Sequence, residues 1–406
     1  MQQPAMTDAS HFHRRAAGFG FAASLMSSFG QSFFIGMFGA PAQASLGLQS
    51  AQWGALYGLA TGVSGMLMFW LGAIADRVAT RNAISIALAI LACGTALMAT
   101  AQAPWMLLLG FFFVRLGGQG LCSHLAIVTA ARHALLRGRS VATAAFGFIL
   151  GEALLPLVVT AMLGWIDWRW VWACAGALVL LVAMPVLRHI AAPLPLEVSH
   201  PQTAQTHDVL ARRQLLRQSA FLAALPVMLT LPFVVTSVFL HQGALSAERG
   251  WTLAQVAMGI LGFALAQAAT TWASGRWIDR HGVRWIFRIY LWPLAVGMLL
   301  GGFAPPALAI WGLFLGMGMA SGAQSVLSGA LWAELFGVRQ LGMVRGVFTA
   351  LMVLSTAASP PILGYALQAG TPLTVLAGAV AVYAVVTPWL LARWVRPAFP
   401  AAALAL

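Results

Sequence analysis

The stretch GAIADRVATR, residues 72–81, is a short charged loop between two long apolar runs, and a second copy, GRWIDRHGVR, follows at residues 275–284. The two copies are 203 residues apart, about half the length of the chain. Charged residues between apolar segments are typical of a loop that joins two membrane spans. Their repetition at this distance indicates a duplicated bundle of membrane-spanning helices.

The composition requires most of the protein surface to face lipid. Of the 406 residues, 61% are hydrophobic and only 8% are charged, whereas a soluble domain is about one quarter charged. The net charge of +13 comes from 22 arginines, with no lysine, against nine acidic residues. The arginines form short clusters between apolar runs instead of one basic face, so nucleic acid is not a predicted partner. The predicted partner is the lipid bilayer.

Twelve segments are apolar over the length of about 20 residues that a membrane-spanning helix needs. They lie near residues 17–39, 51–75, 82–101, 105–131, 140–165, 169–188, 219–242, 252–275, 285–303, 306–333, 346–368 and 372–392. The only long polar stretch separates the sixth segment from the seventh. The predicted parts are a cytoplasmic tail (1–16), a six-helix bundle (17–188), a cytoplasmic linker (189–217), a second six-helix bundle (218–393) and a cytoplasmic tail (394–406).

The arginines also predict the orientation, because cytoplasmic loops of membrane proteins carry an excess of basic residues. With both termini inside, 19 arginines fall on the cytoplasmic side. Only Arg169 and Arg249 fall outside, and Arg115 lies within a helix. The sequence thus predicts a multi-pass protein of the inner membrane with both termini in the cytoplasm.

The repeated loop resembles the signature of the major facilitator superfamily, G-x-L-A-D-R-x-G-R-R/K. The matching positions are Gly72, Asp76, Arg77 and Arg81 in the first copy and Gly275, Asp279, Arg280 and Arg284 in the second. The resemblance covers essentially the whole chain. It implies an all-α integral membrane protein with 12 transmembrane helices in two pseudo-symmetric six-helix bundles, which works by alternating access and as a monomer.

The resemblance further implies that both signature loops are gating loops. Asp76 would lie near the N-terminus of the eleventh helix, where the positive end of the helix favours a carboxylate. Arg77, Arg81 and the nearby Arg132 would complete a cytoplasmic latch. The alternative is that these charges only enforce the topology. Topology needs arginines but does not need Asp76 and Asp279, which favours the latch.

Two charged residues lie inside predicted spans, where charges are costly and usually functional. Arg115 is ten residues into the fourth segment and Glu152 about twelve residues into the fifth, so both lie near the membrane midplane. A direct Arg115–Glu152 pair is geometrically plausible. It would either join the two helices or act as a switch that a substrate carboxylate or a proton on Glu152 opens. The second half has no acid or base at the corresponding depth.

Neutral polar residues also recur on single helix faces. By resemblance to the family, helices 1, 4, 7 and 10 surround a central cavity. The predicted substrate- and proton-binding residues are Arg115, Glu152, Gln119, Gln31, Ser28, Gln324, Ser325 and Tyr57. The alternative is hydrogen bonding between helices, which is common for serine and threonine in membranes. The glutamines favour the cavity, because long amides are harder to satisfy in lipid.

The leading functional prediction is a secondary transporter of a small polar solute, such as an organic anion held by Arg115, coupled to protons through Glu152. An exporter of lipophilic or cationic compounds is the alternative. A receptor or scaffold without transport is more remote. The sequence has no nucleophile–base–acid grouping, no metal-ligand spacing and no nucleotide-binding loop, so it predicts no enzyme, metal or cofactor.

Overall fold

The computed structural model describes residues 3–132, 137–194, 213–337 and 340–396, and all their regular secondary structure is helical. Among these residues, eleven helices are long and apolar enough to cross a membrane, and a helix pair bent by 65° gives a twelfth when it is taken as one span. The bent pair, α1, is Arg14–Gly36 with Gly39–Leu46. The helices α2 to α12 are Ser50–Arg77, Thr80–Ala99, Pro104–Arg132, Arg139–Leu163, Trp168–Ala191, Ser219–Leu240, Leu253–His281, Val283–Phe303, Pro306–Phe336, Leu341–Gln368 and Leu373–Leu391.

The prediction of an all-helical membrane protein is confirmed, and the first span differs from the straight helix expected at 17–39. A 3₁₀ turn at Ser28–Gly30 interrupts α1, and Gln31 has an extended backbone. The helix then resumes at Ser32–Gly36. Of the predicted linker, residues 195–212 lie outside the described chain, as do residues 397–406 of the predicted C-terminal tail.

The chain divides into two compact units. Unit 1 comprises residues 1–200 with the short segments 239–243 and 360–365. Within it α1 packs against α5, and α3 packs against α4 and α6. Trp53 of α2 donates a hydrogen bond from Nε1 to the carbonyl oxygen of Leu240 at 3.3 Å. Backbone carbonyls at the ends of spans thus receive side-chain donors from within the unit.

Unit 2 comprises residues 201–238, 244–359 and 366–406. Here α10 packs against α8 and α9, and α9 packs against α12. Arg288 lies beside Trp389, whereas a methyl group on Gly302 would contact Ala377. The helices α9 and α12 are therefore antiparallel neighbours over most of their length.

One turn of α4 departs from α-helical geometry. Residues Arg115–Cys122, with the sequence RLGGQGLC, form a π-helix between two α-helical parts. Turns of this kind are rare and are frequently found at functional sites. The wider turn begins at Arg115, one of the two charged residues that the sequence places at the membrane midplane.

Candidate functional site

Arg115 anchors the π-helical turn of α4 to the break in α1. Its side chain is buried, and Nη1 donates a hydrogen bond to the carbonyl oxygen of Gly30 at 3.0 Å. Gly30 ends the 3₁₀ turn just before the extended Gln31. A break in a helix exposes carbonyl groups that lack an intrahelical partner. The guanidinium supplies a donor to one of them.

The guanidinium of Arg115 also lies over the ring of Tyr57, 5.0 Å from the ring centroid. Tyr57 belongs to α2 and is fully buried, with its ring against Phe111. A cation above an aromatic face is attracted more strongly when water is excluded. Arg115 Nε and the Tyr57 hydroxyl are both buried without a hydrogen-bond partner among the described residues. Two polar groups of this cluster are therefore free to bind a further group.

Glu152 of α5 is buried to the same degree as Arg115, with 3% of its surface exposed. Its Oε2 has no hydrogen-bond partner in the described part of the chain. The ion pairs found there involve Arg132, Arg169 and Arg284, not Arg115. The direct Arg115–Glu152 pair that the sequence made plausible is therefore not formed.

The turn at Ser28–Gly30 contacts both α4 and α5, the helices that carry Arg115 and Glu152. A methyl group on Gly118 of α4 would overlap the backbone of Gly30. A methyl group on Gly151, the residue before Glu152, would overlap the Ser28 hydroxyl. The broken part of α1 thus packs closely against both helices at the level of the two charges.

The remaining residues predicted for the site in unit 1 lie around the same turn. Ser28 is buried, and its hydroxyl has no hydrogen-bond partner among the described residues. Gln31 and Gln119 are half-buried, and the backbone nitrogen of Gln119 lies beside Gly30. The structure therefore brings Arg115 and these three residues around one interruption in α1.

Gln324 of α10, a predicted cavity residue, makes a contact between helices in unit 2. Its Nε2 donates a hydrogen bond to the carbonyl oxygen of Met228 in α7 at 3.1 Å. Pro232 lies four residues after Met228 and has no N–H to bond that carbonyl. Because only the amide nitrogen can donate, Gln324 Oε1 is directed elsewhere, and it has no partner in the described chain.

Gln324 and Ser325 also line a cavity of about 330 Å³ formed by α7, α10 and α11. The Ser325 hydroxyl donates to the carbonyl oxygen of Gly322 at 2.7 Å and lies 3.3 Å from that of Thr271. Ser321, Ser328, Thr349 and Arg345 add polar groups to the wall. Gln324 therefore lines a cavity and also makes a hydrogen bond between helices. Its role in substrate binding stays a prediction.

A second cavity of unit 2, of about 430 Å³, lies between α7, α11 and α12. Its walls are mostly apolar and include Leu229, Phe233, Val380 and Tyr383. Nothing in the sequence analysis predicted it. Its lining suits a lipophilic molecule better than a polar solute.

The first gating loop is held to the end of α4. Arg132 forms an ion pair with Asp76 and donates a hydrogen bond to the carbonyl oxygen of Ala75 at 2.6 Å. His124 of α4 lies 2.9 Å from the carbonyl oxygen of Gly72. Arg77 is exposed, as is Arg81, so the contacts with Arg132 and His124 hold this loop within unit 1.

In the second gating loop, the acidic and basic partners of the ion pair are exchanged. Arg284 lies 3.9 Å from Glu334 at the end of α10, so here the loop region supplies the cation and the helix supplies the carboxylate. Asp279, the counterpart of Asp76, is exposed, as are Arg280 and its neighbours at this end of α8. The sequence motif alone does not reveal the role of Glu334.

The comparison with protein-family models identifies one family. A family model described as Major Facilitator Superfamily matches residues 20–262 and 227–405. No curated protein sequence matches the chain. The fold is similar to that of the nucleoside transporter NupG, with a TM-score of 0.74 and 12% identity over 94% of this chain and 98% of that one.

Two further solved structures are similar in fold. A bacterial homologue of the human lysosomal transporter Spinster has a TM-score of 0.69 and 18% identity, covering 98% of this chain and 93% of that one. A D-xylose–proton symporter has a TM-score of 0.68 and 14% identity, covering 92% and 97%. At these identities the likeness concerns the fold.

Proposed function

This chain belongs to the Major Facilitator Superfamily of membrane transporters, and from that premise we propose that it is a proton-coupled secondary transporter of a small polar solute. One observation carries the proposal: unit 1 buries a guanidinium and a carboxyl group within membrane helices without pairing them. The retention of two such groups in lipid favours a functional role. Transport by alternating access between the two halves is the mechanism that family membership implies.

Arg115 is proposed to bind the solute. Its hydrogen bond to Gly30 and its position over Tyr57 hold the guanidinium in one orientation while leaving Nε without a partner among the described residues. A guanidinium binds carboxylate groups in a planar, forked geometry. An organic anion is therefore the proposed substrate class, with Tyr57, Ser28, Gln31 and Gln119 as further polar contacts.

Glu152 is proposed to carry the coupled proton. A buried carboxylate without a cation partner costs several kcal/mol of solvation free energy, and protonation removes most of that cost. Ionisation then requires water to reach the side chain, which ties proton release to the conformation of the bundle. Because Glu152 does not neutralise Arg115, its protonation leaves the guanidinium charge available to the solute.

The similar structures agree with a small polar solute and do not bear on its charge. They include a nucleoside transporter and a D-xylose–proton symporter, whose solutes are small and polar. Proton coupling in one of them agrees with the role proposed for Glu152. Members of the family are transporters and not enzymes, which is consistent with the sequence prediction. We also propose an inner-membrane location with cytoplasmic termini and a monomeric state.

The test is accumulation of solute in proteoliposomes that contain the purified protein. A panel of carboxylates, sugars and nucleosides is offered with an imposed proton gradient, with and without a protonophore. We expect a carboxylate to accumulate and a protonophore to abolish accumulation. Accumulation that ignores the gradient would contradict proton coupling, and a panel in which only sugars or nucleosides accumulate would contradict the anion site.

Export of lipophilic or cationic compounds is the second candidate. The apolar cavity between α7, α11 and α12 favours it, because Leu229, Phe233 and Val380 offer no charge to a polar solute. In the same proteoliposomes, a lipophilic cation would then be expelled when protons enter. Loss of that flux in Phe233→Asp, together with no transport of any carboxylate, would establish the exporter and reject the leading proposal.

A further inference from the structure

Arginine and tryptophan side chains cluster at the end of unit 2 where α9 begins and α12 ends. We call the residues His281, Trp285, Arg288, Trp389, Arg393 and Trp394 the Arg–Trp patch. The Arg288 guanidinium lies 5.4 Å from the ring centroid of Trp389, across the α9–α12 contact. The Arg393 guanidinium lies 3.9 Å from the ring centroid of Trp394. His281 stacks on Trp285 at 4.8 Å. Of these contacts, the one between Arg288 and Trp389 joins α9 to α12.

The tryptophans of the patch are exposed, with 43% of Trp285, 51% of Trp389 and 44% of Trp394 accessible. Trp285 lies at the start of one membrane span and Trp389 at the end of another. Exposed tryptophans at the ends of spans are typical of the headgroup level of a bilayer, where an apolar ring and a polar N–H both find partners.

The arginines of the patch lack a carboxylate partner within the described residues. Glu334, the acidic residue of α10, pairs with Arg284 instead, and Asp279 is exposed. Arg288 Nε is buried and has no hydrogen-bond partner in the described chain. Uncompensated guanidinium groups bind phosphate in a forked, charge-assisted geometry. The patch therefore offers an anion site at the headgroup level.

An apolar face continues from the patch along each of the two helices. On α9 the exposed residues Trp292, Val296 and Leu299 follow Arg288 at helical spacing. On α12 the exposed residues Val382, Val386 and Leu390 precede Arg393 in the same way. Because α9 and α12 are antiparallel neighbours, the two faces run down from the same charged end. This arrangement matches an amphiphile with an anionic head and two apolar chains.

We propose that the Arg–Trp patch binds the phosphate headgroup of an anionic phospholipid, with the acyl chains against α9 and α12. Arg169 shows how an arginine over a tryptophan differs when an acid is nearby. Arg169 also lies over a tryptophan, 4.4 Å from the ring of Trp168, but Asp167 lies 3.7 Å from its guanidinium. That pair is already neutralised, so it is not an anion site.

The test is a native mass spectrometry titration of the full-length protein in detergent with dioleoyl phosphatidylglycerol and, in parallel, dioleoyl phosphatidylcholine. We expect tighter binding of phosphatidylglycerol to wild type. Arg288→Gln and Arg393→Gln should each weaken it about fivefold, and the double variant about 25-fold, the scale expected for single basic groups at an anionic lipid surface. Binding of phosphatidylcholine should not change.

Arg169→Gln is the matched control and should leave phosphatidylglycerol affinity within about twofold of wild type. The proposal is overturned by equal affinity for the two lipids, by an unaffected double variant, or by an equal loss in Arg169→Gln, which would indicate diffuse charge. Competition by glycerol phosphate alone would indicate a soluble anion as the ligand and would also overturn it. If the double variant does not fold, the two single variants give the same answer.

Discussion

The two units differ in the kind of polar residue that they bury inside the membrane. In unit 1, the ionisable side chains of Arg115 and Glu152 are buried. In the described part of unit 2, the buried polar residues are neutral, and an amide from Gln324 bonds the carbonyl that Pro232 leaves free. The two halves therefore differ in chemistry: unit 1 buries two ionisable groups that do not pair with each other, and the described part of unit 2 buries neutral polar groups.

This difference indicates which half performs ion chemistry. A neutral amide that satisfies a carbonyl is stable in lipid without further use. An unpaired carboxyl group is stable there only when it is protonated or temporarily partnered. We therefore propose that unit 1 carries the anion-binding and proton-coupling groups.

The largest expected effect is that of Arg115→Met, which removes the buried cation while keeping an apolar side chain of similar length. Uptake of an anionic solute should fall by about 100-fold or more, because a charge-assisted contact and the anchor to Gly30 are both lost. Initial uptake rates in proteoliposomes measure this. Arg345→Met, in the cavity wall of unit 2, is the matched control and should change uptake by less than about threefold. Equal losses of uptake in the two variants would contradict the proposal that unit 1 binds the anion.

The next effect tests the close packing around the break in α1. Gly118→Ala should destabilise the protein by about 1–3 kcal/mol, because the added methyl group meets the backbone of Gly30, which cannot move aside. Thermal unfolding in detergent should show a lower melting temperature. Gly346→Ala in α11, where the methyl group would meet open space, should leave the melting temperature unchanged. Two equally stable variants would show that the break in α1 is loosely packed.

A double-mutant cycle tests the neutral contact in unit 2. Gln324→Leu leaves the Met228 carbonyl without a donor and should cost about 1–3 kcal/mol of stability. Pro232→Ala restores a backbone N–H at the position that can bond this carbonyl. The double variant should therefore be more stable than Gln324→Leu alone, as judged by melting temperatures. Additive losses would mean that Gln324 does not serve the carbonyl freed by the proline.

The smallest stability effects are expected at the two gating loops. Asp76→Asn and Arg284→Gln each remove one partner of a half-exposed ion pair, so each should cost no more than about 1 kcal/mol. Transport tests the latch role implied for Asp76, which predicts slower turnover in Asp76→Asn. Normal turnover in this variant would reduce the first loop to a topology signal.

Much of the fold could be predicted because a chain that crosses lipid must form helices, which satisfy their own backbone hydrogen bonds. Long apolar segments, charged loops and arginine placement define the spans before any tertiary contact is known. The interruption of α1 could not be predicted in this way, since Ser28 and Gln31 are compatible with a polar helix face. Tertiary packing against Gly118 and Gly151 selects the break.

The candidate site was predictable to the extent that charge is rare in membranes, which identified Arg115 and Glu152. The contact between Arg115 and the Gly30 carbonyl could not be predicted, because a backbone carbonyl carries no sequence signal. The contact made by Gln324 did have a signal in the sequence. A proline within a helix frees the carbonyl four residues earlier, and for Pro232 this is the carbonyl of Met228. The pairing of Glu334 with Arg284 was not predicted, because the signature motif covers the loop between α8 and α9 and does not reach the end of α10.

Proton flux during transport tests the central claim most directly. Proteoliposomes loaded with a pH-sensitive dye and given a transported solute should acidify with wild type. Glu152→Gln should give no proton flux and no gradient-driven accumulation, while exchange of labelled for unlabelled solute continues. Glu334→Gln, a half-exposed glutamate of unit 2, should behave as wild type. Solute-dependent proton flux that persists in Glu152→Gln would contradict the account.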